Sequence, residues 1–81
     1  MEKTITIKST HGLHAELAAK IVQTASKYDV DIRLVYAHVT IDAKSILGLM
    51  SLAVPQGENV KLIAIGDNAQ AAITDIEKVL A

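Results

Sequence analysis

Apolar and polar residues alternate along several short stretches of this 81-residue chain. The period-two pattern predicts a strand over residues 4–7, and two further runs predict strands over residues 32–36 and 39–41. A fourth strand is predicted over residues 60–65, which carry β-branched residues on both faces. Only Ala37-His38 separates the second stretch from the third, so these two strands are predicted to form a hairpin. Neither turn residue favours positive φ, and the turn type stays open at this level.

Other stretches carry apolar residues three and four positions apart, which is the spacing of one helix face. This pattern predicts a helix over residues 14–28 and a last helix from Ala69 to Leu80. Ser45 is a preferred N-cap, and the apolar run behind it predicts a short helix over residues 46–52. The resulting order is βαββαβα. We therefore expect a single α+β domain over residues 1–81, an open-faced sandwich with helices on one face of a four-stranded, mostly antiparallel sheet.

Composition narrows the classes of function. Apolar residues make up 51% of the chain, which allows a core to form in a small domain. There is no Cys, so thiol chemistry and disulfides are excluded. A net charge of −1 and only two aromatic residues, both Tyr, do not favour nucleic-acid binding. No stretch resembles a secretory signal or a membrane span, and a cytoplasmic location is the default expectation.

His14 is the first candidate for chemistry because it stands where a loop turns into a predicted helix. Backbone amides of Ala15, Glu16 and Leu17 would point at an anion there, and the helix dipole would favour it. An imidazole at that place could carry a phosphoryl group as a covalent intermediate. The plainer interpretation is a solvated histidine that serves as a poor helix cap. Glu16 also pairs in sequence with Lys20 at i,i+4.

Ser45 is the second candidate. As an N-cap it stabilises its helix, and a phosphate added there would change any partner surface around it. The apolar residues that follow are core by default, and some of them could instead form a docking surface with Met as an adaptable contact. The candidates for partner binding are Ile46, Leu47, Leu49 and Met50.

A metal site is a further possibility raised by the histidines. His11, His14 and Glu16 are close in sequence, and His38 stands elsewhere. Two histidines and a carboxylate could hold zinc with one open position. Histidines near a loop are more often solvated polar residues, so no metal or other cofactor is our first expectation.

Three segments give the chain a family resemblance: residues 12–15 (GLHA), 22–28 (VQTASKY) and 44–52 (KSILGLMSL). With them the chain resembles HPr, the histidine-containing phosphocarrier family of the bacterial phosphoenolpyruvate-dependent sugar phosphotransferase system. The resemblance covers nearly the whole chain. It implies the same βαββαβα sandwich and a stoichiometric phosphoryl carrier rather than an enzyme.

The resemblance also implies roles for two residues. At the position of His14, family members accept a phosphoryl group from enzyme I and pass it to sugar-specific acceptor proteins. At the position of Ser45, many Gram-positive members are phosphorylated by an ATP-dependent kinase, and that form binds a transcriptional regulator in catabolite repression. Lys44 and Ile46 flank Ser45 as in that regulatory motif.

The active-site motif departs from the family pattern at two positions. Family members usually read His-Ala-Arg-Pro, whereas this chain reads His14-Ala15-Glu16-Leu17. An acid about 6 Å from a phosphoryl group would repel it by on the order of 1–5 kcal/mol, and exposure favours the lower half of that range. Leu17 restores an amide donor that proline lacks. We therefore expect His14 to be phosphorylated slowly.

Two other interpretations stay open on the sequence alone. One is a transfer-impaired or engineered scaffold of the HPr type that binds a metal through His11, His14 and Glu16. The other is a plain interaction domain that has lost its chemistry, in which neither His14 nor Ser45 takes a phosphate.

Overall fold

The computed structural model describes residues 1–80 and contains the seven elements in the predicted order. Their bounds are β1 Glu2–Thr6, α1 Ala15–Ala25, β2 Asp31–Tyr36, β3 Val39–Asp42, α2 Ile46–Leu52, β4 Asn59–Ile65 and α3 Ala69–Leu80. None of the helices in residues 1–80 is both long and apolar enough to cross a membrane.

The four strands form one sheet in the order β1-β4-β2-β3, and all three pairings are antiparallel. Alternate residues of the two central strands are buried, so Leu34 of β2 lies opposite Leu62 of β4 on the covered face. On the edge strand β1, Ile5 lies opposite Val60 on that same face. The predicted α+β open-faced sandwich is confirmed.

One apolar stripe on each long helix meets the covered face of the sheet. Burying these stripes stabilises both helices far more than their intrinsic propensities do, because an 11- or 12-residue helix is marginal alone. The stripe of α1 consists of Leu17, Ala18, Ile21 and Ala25, and that of α3 consists of Ala69, Ala72, Ile73, Ile76 and Leu80.

Helix α1 ends three residues before the predicted boundary at residue 28. After Ala25 the chain tightens: the amide of Lys27 donates to the Thr24 carbonyl at 3.2 Å, and that of Tyr28 donates to the Ala25 carbonyl at 3.1 Å. These are i to i+3 bonds, which wind a helix end more tightly than the α-helical pattern does. The periodic apolar pattern continues to Tyr28 because its partly buried side chain still packs against the core.

The predicted hairpin of β2 and β3 is present, with Tyr36 opposite Val39 across a two-residue turn. Both turn residues have positive φ, 48° at Ala37 and 70° at His38. This is the geometry of a type I′ turn, which matches the twist of the strands it joins. Strand pairing therefore imposes on Ala37 and His38 a conformation that their side chains disfavour.

Candidate functional site

The loop before α1 is fixed in place by Gly12. Its φ is +70°, and a Cβ at this position would collide with the Val54 carbonyl oxygen and lie 3.0 Å from Cα of Pro55. The next residue, Leu13, is buried and donates its amide to that same carbonyl at 2.8 Å. The loop is thereby held against the segment that follows α2, and His14 leaves it in a defined direction.

His14 is the N-cap of α1. Its backbone is extended, with φ −107° and ψ −175°, and its carbonyl accepts the first helical bond from the Ala18 amide at 2.8 Å. Its ring Nδ1 accepts from the Glu16 amide at 3.2 Å. A ring nitrogen that accepts an N–H carries the lone pair of the neutral imidazole, so the proton lies on Nε2. Nδ1 therefore presents its lone pair at the helix start.

The amides of Ala15, Glu16 and Leu17 belong to the first turn of α1, where no preceding helical carbonyl can accept them. The Glu16 amide is occupied by the His14 ring. The side chain of Leu17 is buried, whereas Ala15 and Glu16 are exposed. That these amides hold a phosphoryl group stays a prediction.

Glu16 pairs with Lys20 as the i,i+4 spacing predicts, with 3.7 Å between Oε1 and Nζ. Both side chains are mostly exposed, 75% for Glu16 and 61% for Lys20. An exposed pair of this kind contributes little to stability, roughly 0–1 kcal/mol. The pair gives the Glu16 carboxylate a counter-charge at the start of α1.

The rings of His11 and His14 lie edge to face, with centroids 5.5 Å apart and an angle of 86° between their planes. Both line an open depression of about 240 Å³ at the start of α1. The sequence analysis did not predict Ser9 and Thr10 as lining residues, and it named Lys20 only as the ion-pair partner of Glu16. No sequence signal separates Ser9 and Thr10 from ordinary loop residues. The depression is lined by Ser9, Thr10, His11, His14, Glu16, Leu17 and Lys20.

The structure does not favour the alternative metal site at His11, His14 and Glu16. Within residues 1–80, no group of three or more His, Cys, Asp or Glu side chains is arranged to hold a metal ion. Two contacts explain this: Nδ1 of His14 faces the Glu16 amide, and the Glu16 carboxylate lies near Lys20. His38 is in the β2–β3 turn.

Ser45 caps α2 as predicted. Its Oγ accepts from the Gly48 amide at 3.2 Å, and the residue is exposed. Gly48 suits this place because a Cβ there would approach that Oγ to 3.2 Å. Two hydrogen bonds hold the preceding Lys44. Its amide donates to Oδ1 of Asp42 and its Nζ donates to the Tyr28 carbonyl, each at 2.8 Å.

Three of the four predicted partner-binding residues are on the surface of α2. Ile46 is 40% exposed, Leu47 77% and Met50 42%; these residues are called the α2 patch below. Leu49 was expected among them, but it is fully buried in the core and cannot contact a partner. The helical rotation explains the correction, because Leu49 points to the sheet side while its neighbours point outward.

Fold and site together define a class of protein: a small α+β carrier domain that presents a histidine at a helix start. Comparisons with known proteins agree with this class. The family model described as the PTS HPr component phosphorylation site matches residues 1–81. The phosphocarrier protein HPr of Haloferax volcanii is 42% identical to this chain over an alignment of 82 residues. The alignment covers 99% of this chain and 92% of that protein.

Solved structures give the same result. HPr from Thermoanaerobacter tengcongensis superposes with a TM-score of 0.94 at 46% identity, covering 99% of this chain and 90% of that one. Crh, the catabolite repression HPr of Bacillus subtilis, has a TM-score of 0.71 at 36% identity and covers 99% and 95%. The chain therefore belongs to the HPr family, and it is a phosphocarrier of the phosphotransferase system rather than an enzyme.

Proposed function

We propose that Nδ1 of His14 accepts a phosphoryl group from enzyme I and passes it to sugar-specific acceptor proteins in the cytoplasm. The observation that carries this proposal is the Glu16 amide donating to Nδ1 at 3.2 Å, which places the lone pair at the helix start. In the transfer this lone pair attacks phosphorus and an N–P bond forms. The bond from phosphorus to the donor breaks, and the donor keeps the electron pair.

The incoming oxygens would meet the first turn of α1. When Nδ1 binds phosphorus, the Glu16 amide loses its acceptor and becomes free to donate to a phosphoryl oxygen, together with the amides of Ala15 and Leu17. Transfer is slow because the Glu16 carboxylate replaces the arginine of the family motif. Lys20 lies beside Glu16 and keeps its repulsion of the phosphoryl group at the lower end of the range expected from the sequence.

Incubation with phosphoenolpyruvate and enzyme I, followed by measurement of acid-labile phosphate, tests this proposal. We expect label on the wild type and on His38→Asn, which removes a histidine from the β2–β3 turn. We expect none on His14→Ala. Label that persists on His14→Ala would refute the assignment, and transfer as fast as in an arginine-containing relative would refute the slow rate.

We also propose that Ser45 takes a regulatory phosphate from an ATP-dependent kinase and that the modified form binds a transcriptional regulator. Its exposed hydroxyl stands directly before the α2 patch, so added charge would alter that surface. The likeness to Crh, which is described as a catabolite repression HPr, supports this role. The α2 patch would supply the apolar part of the docking surface.

Treatment with such a kinase and ATP tests the regulatory role. We expect one acid-stable phosphate on the wild type and none on Ser45→Ala. Ser51→Ala is the matched control, because Ser51 is exposed on the same helix and should not affect the label. Absence of phosphate on Ser45 would end this part of the proposal.

A further inference from the structure

We infer that His11 is a second phosphoryl-binding residue, whose protonated ring donates a hydrogen bond to the phosphoryl group on His14. This inference rests on the proposed phosphorylation of His14 and adds a residue to that same site. It starts from the two rings, which lie 5.5 Å apart in the same depression.

The geometry leaves room for such a bridge. The rings are nearly perpendicular, at 86°, and do not stack face to face. The centroids are 5.5 Å apart, so phosphoryl oxygens on His14 would come within hydrogen-bond distance of a His11 ring that turns toward Nδ1. His11 is exposed and sits on a loop, so its ring can turn a nitrogen toward those oxygens.

The charges in the depression give His11 its importance. Its charged and titratable side chains are those of His11, His14, Glu16 and Lys20. Glu16 and Lys20 pair at 3.7 Å and offset each other. A phosphoryl group brings nearly two negative charges, so a protonated His11 supplies the remaining positive charge of the lining. In this chain His11 then does part of the work of the arginine that Glu16 replaces.

A dependence on pH follows from this role. Histidine is the side chain that in general changes charge between about pH 5 and 8. A hydrogen bond that needs a protonated ring is therefore expected to be strongest at the acidic end of that range. The phosphorylated state should therefore gain from His11 at low pH only. The comparison between wild type and variant isolates this effect, since His14, Glu16 and Lys20 are unchanged in both.

The test uses His11→Gln and His11→Lys, both in the His38→Asn background. Phosphorylation from phosphoenolpyruvate and enzyme I is followed at about pH 6 and about pH 8, on either side of the histidine titration. We expect His11→Gln to lower the rate about tenfold at the lower pH, the contribution of one charge-assisted hydrogen bond, and little at the higher one. His11→Lys should keep the fast rate at both values.

A second arm loads His14 with phosphoramidate, whose P–N bond breaks and releases ammonia as the imidazole N–P bond forms. Fragment mass spectrometry confirms the loaded residue, and the loss of phosphate is timed at both pH values. We expect several-fold faster loss from His11→Gln at the lower pH. Equal loss from wild type and His11→Gln would overturn the inference, as would an equal effect at both pH values without rescue by His11→Lys.

The two arms separate the possible failures. If enzyme I leaves His14 unlabelled while phosphoramidate loads it, the proposed relay fails and the second arm still decides the role of His11. If neither route places phosphate on His14, both proposals are overturned.

Discussion

The effect of Glu16 on phosphoryl transfer can be argued both from the sequence and from the structure. The sequence gives the sign of its effect, because an acid stands where the family motif has a base. The structure gives the size: the side chain is 75% exposed and lies 3.7 Å from Lys20. Exposure and a counter-charge both screen repulsion, so Glu16 should slow transfer without abolishing it.

Replacing Glu16 with arginine should therefore accelerate phosphorylation of His14 about thirtyfold, because about 1 kcal/mol of repulsion is removed and a similar attraction is added. Glu16→Gln, which removes the charge without reversing it, should give about half of this effect on a logarithmic scale. The initial rate of transfer from enzyme I measures both. The gain in rate should become smaller at high salt. A gain that does not depend on salt concentration would contradict the electrostatic explanation.

Gly12 is the residue on which the direction of His14 depends. Gly12→Ala should destabilise the protein by about 2 kcal/mol or more, because the new Cβ meets the Val54 carbonyl and φ stays positive. Gly57→Ala is the matched control: φ there is +90°, but nothing lies within 4 Å of the added Cβ. Urea unfolding compares the two. Equal losses would show that backbone conformation alone, and not the contact with Val54, explains the need for glycine.

At the scale of elements, the β2–β3 turn shows tertiary structure overriding local preference. The sequence places two unfavourable residues between two strands, and strand pairing forces both into positive φ. No local rule predicts this, because the stabilising interactions are the ladder bonds and the buried side chains of the strands.

Ala37→Asn and His38→Gly should each stabilise the protein by about 0.5–1 kcal/mol, because asparagine and glycine accept the left-handed conformation that a type I′ turn needs. Thermal unfolding measures the gain. Ala71→Gly, on the exposed face of α3, is the control and should destabilise by about 1 kcal/mol. A loss at both turn positions would mean that His38 or Ala37 makes contacts that outweigh the strain.

Helix α2 has only seven residues, so its cap matters more than that of a longer helix. Ser45→Ala removes the Oγ acceptor of the Gly48 amide and should lower the free energy of unfolding by about 1 kcal/mol. Ser45→Asp keeps an acceptor at a favourable end of the helix and should cost only a few tenths of that. Denaturant unfolding distinguishes them. Equal losses for the two variants would show that the cap is not what Ser45 contributes.

At the scale of the whole molecule, periodicity along the chain, apolar runs and the N-cap signal at Ser45 were enough to predict the seven elements and the sandwich. His14, Glu16 and Lys20 could be grouped because they are close in sequence. The strand order β1-β4-β2-β3 depends on how distant segments meet, and the edge-to-face contact of His11 depends on the conformation of the loop before α1. Leu49 was misplaced for a related reason, since an apolar run does not reveal which of its members faces the sheet.

Tyr28 makes long-range contacts that no local sequence pattern predicts. It follows α1, and its hydroxyl donates to the Asp75 carboxylate on α3, while its carbonyl accepts from Lys44 Nζ at 2.8 Å. The hydrogen bond to Asp75 is the largest cause that raises the pKa of Tyr28 above the usual 10.0, followed by burial and the charge of Asp75. The first helix, the last helix and the segment before Ser45 are thus joined at one residue.

The raised pKa of Tyr28 makes stability depend on alkaline pH. Below about pH 10 the hydroxyl is protonated in folded and unfolded chains alike, so its contribution is fully present; as pH rises through the higher folded pKa, that contribution is lost. A double-mutant cycle of Tyr28→Phe and Asp75→Ala, followed by urea unfolding, should therefore show a favourable coupling at neutral pH that vanishes at strongly alkaline pH. The pKa of Tyr36 is also raised, by burial and then by its hydrogen bond to Glu58, but that effect is common to all four proteins and cancels. Coupling that persists unchanged after Tyr28 ionises would show that the two helices are held together by packing and not by this hydrogen bond.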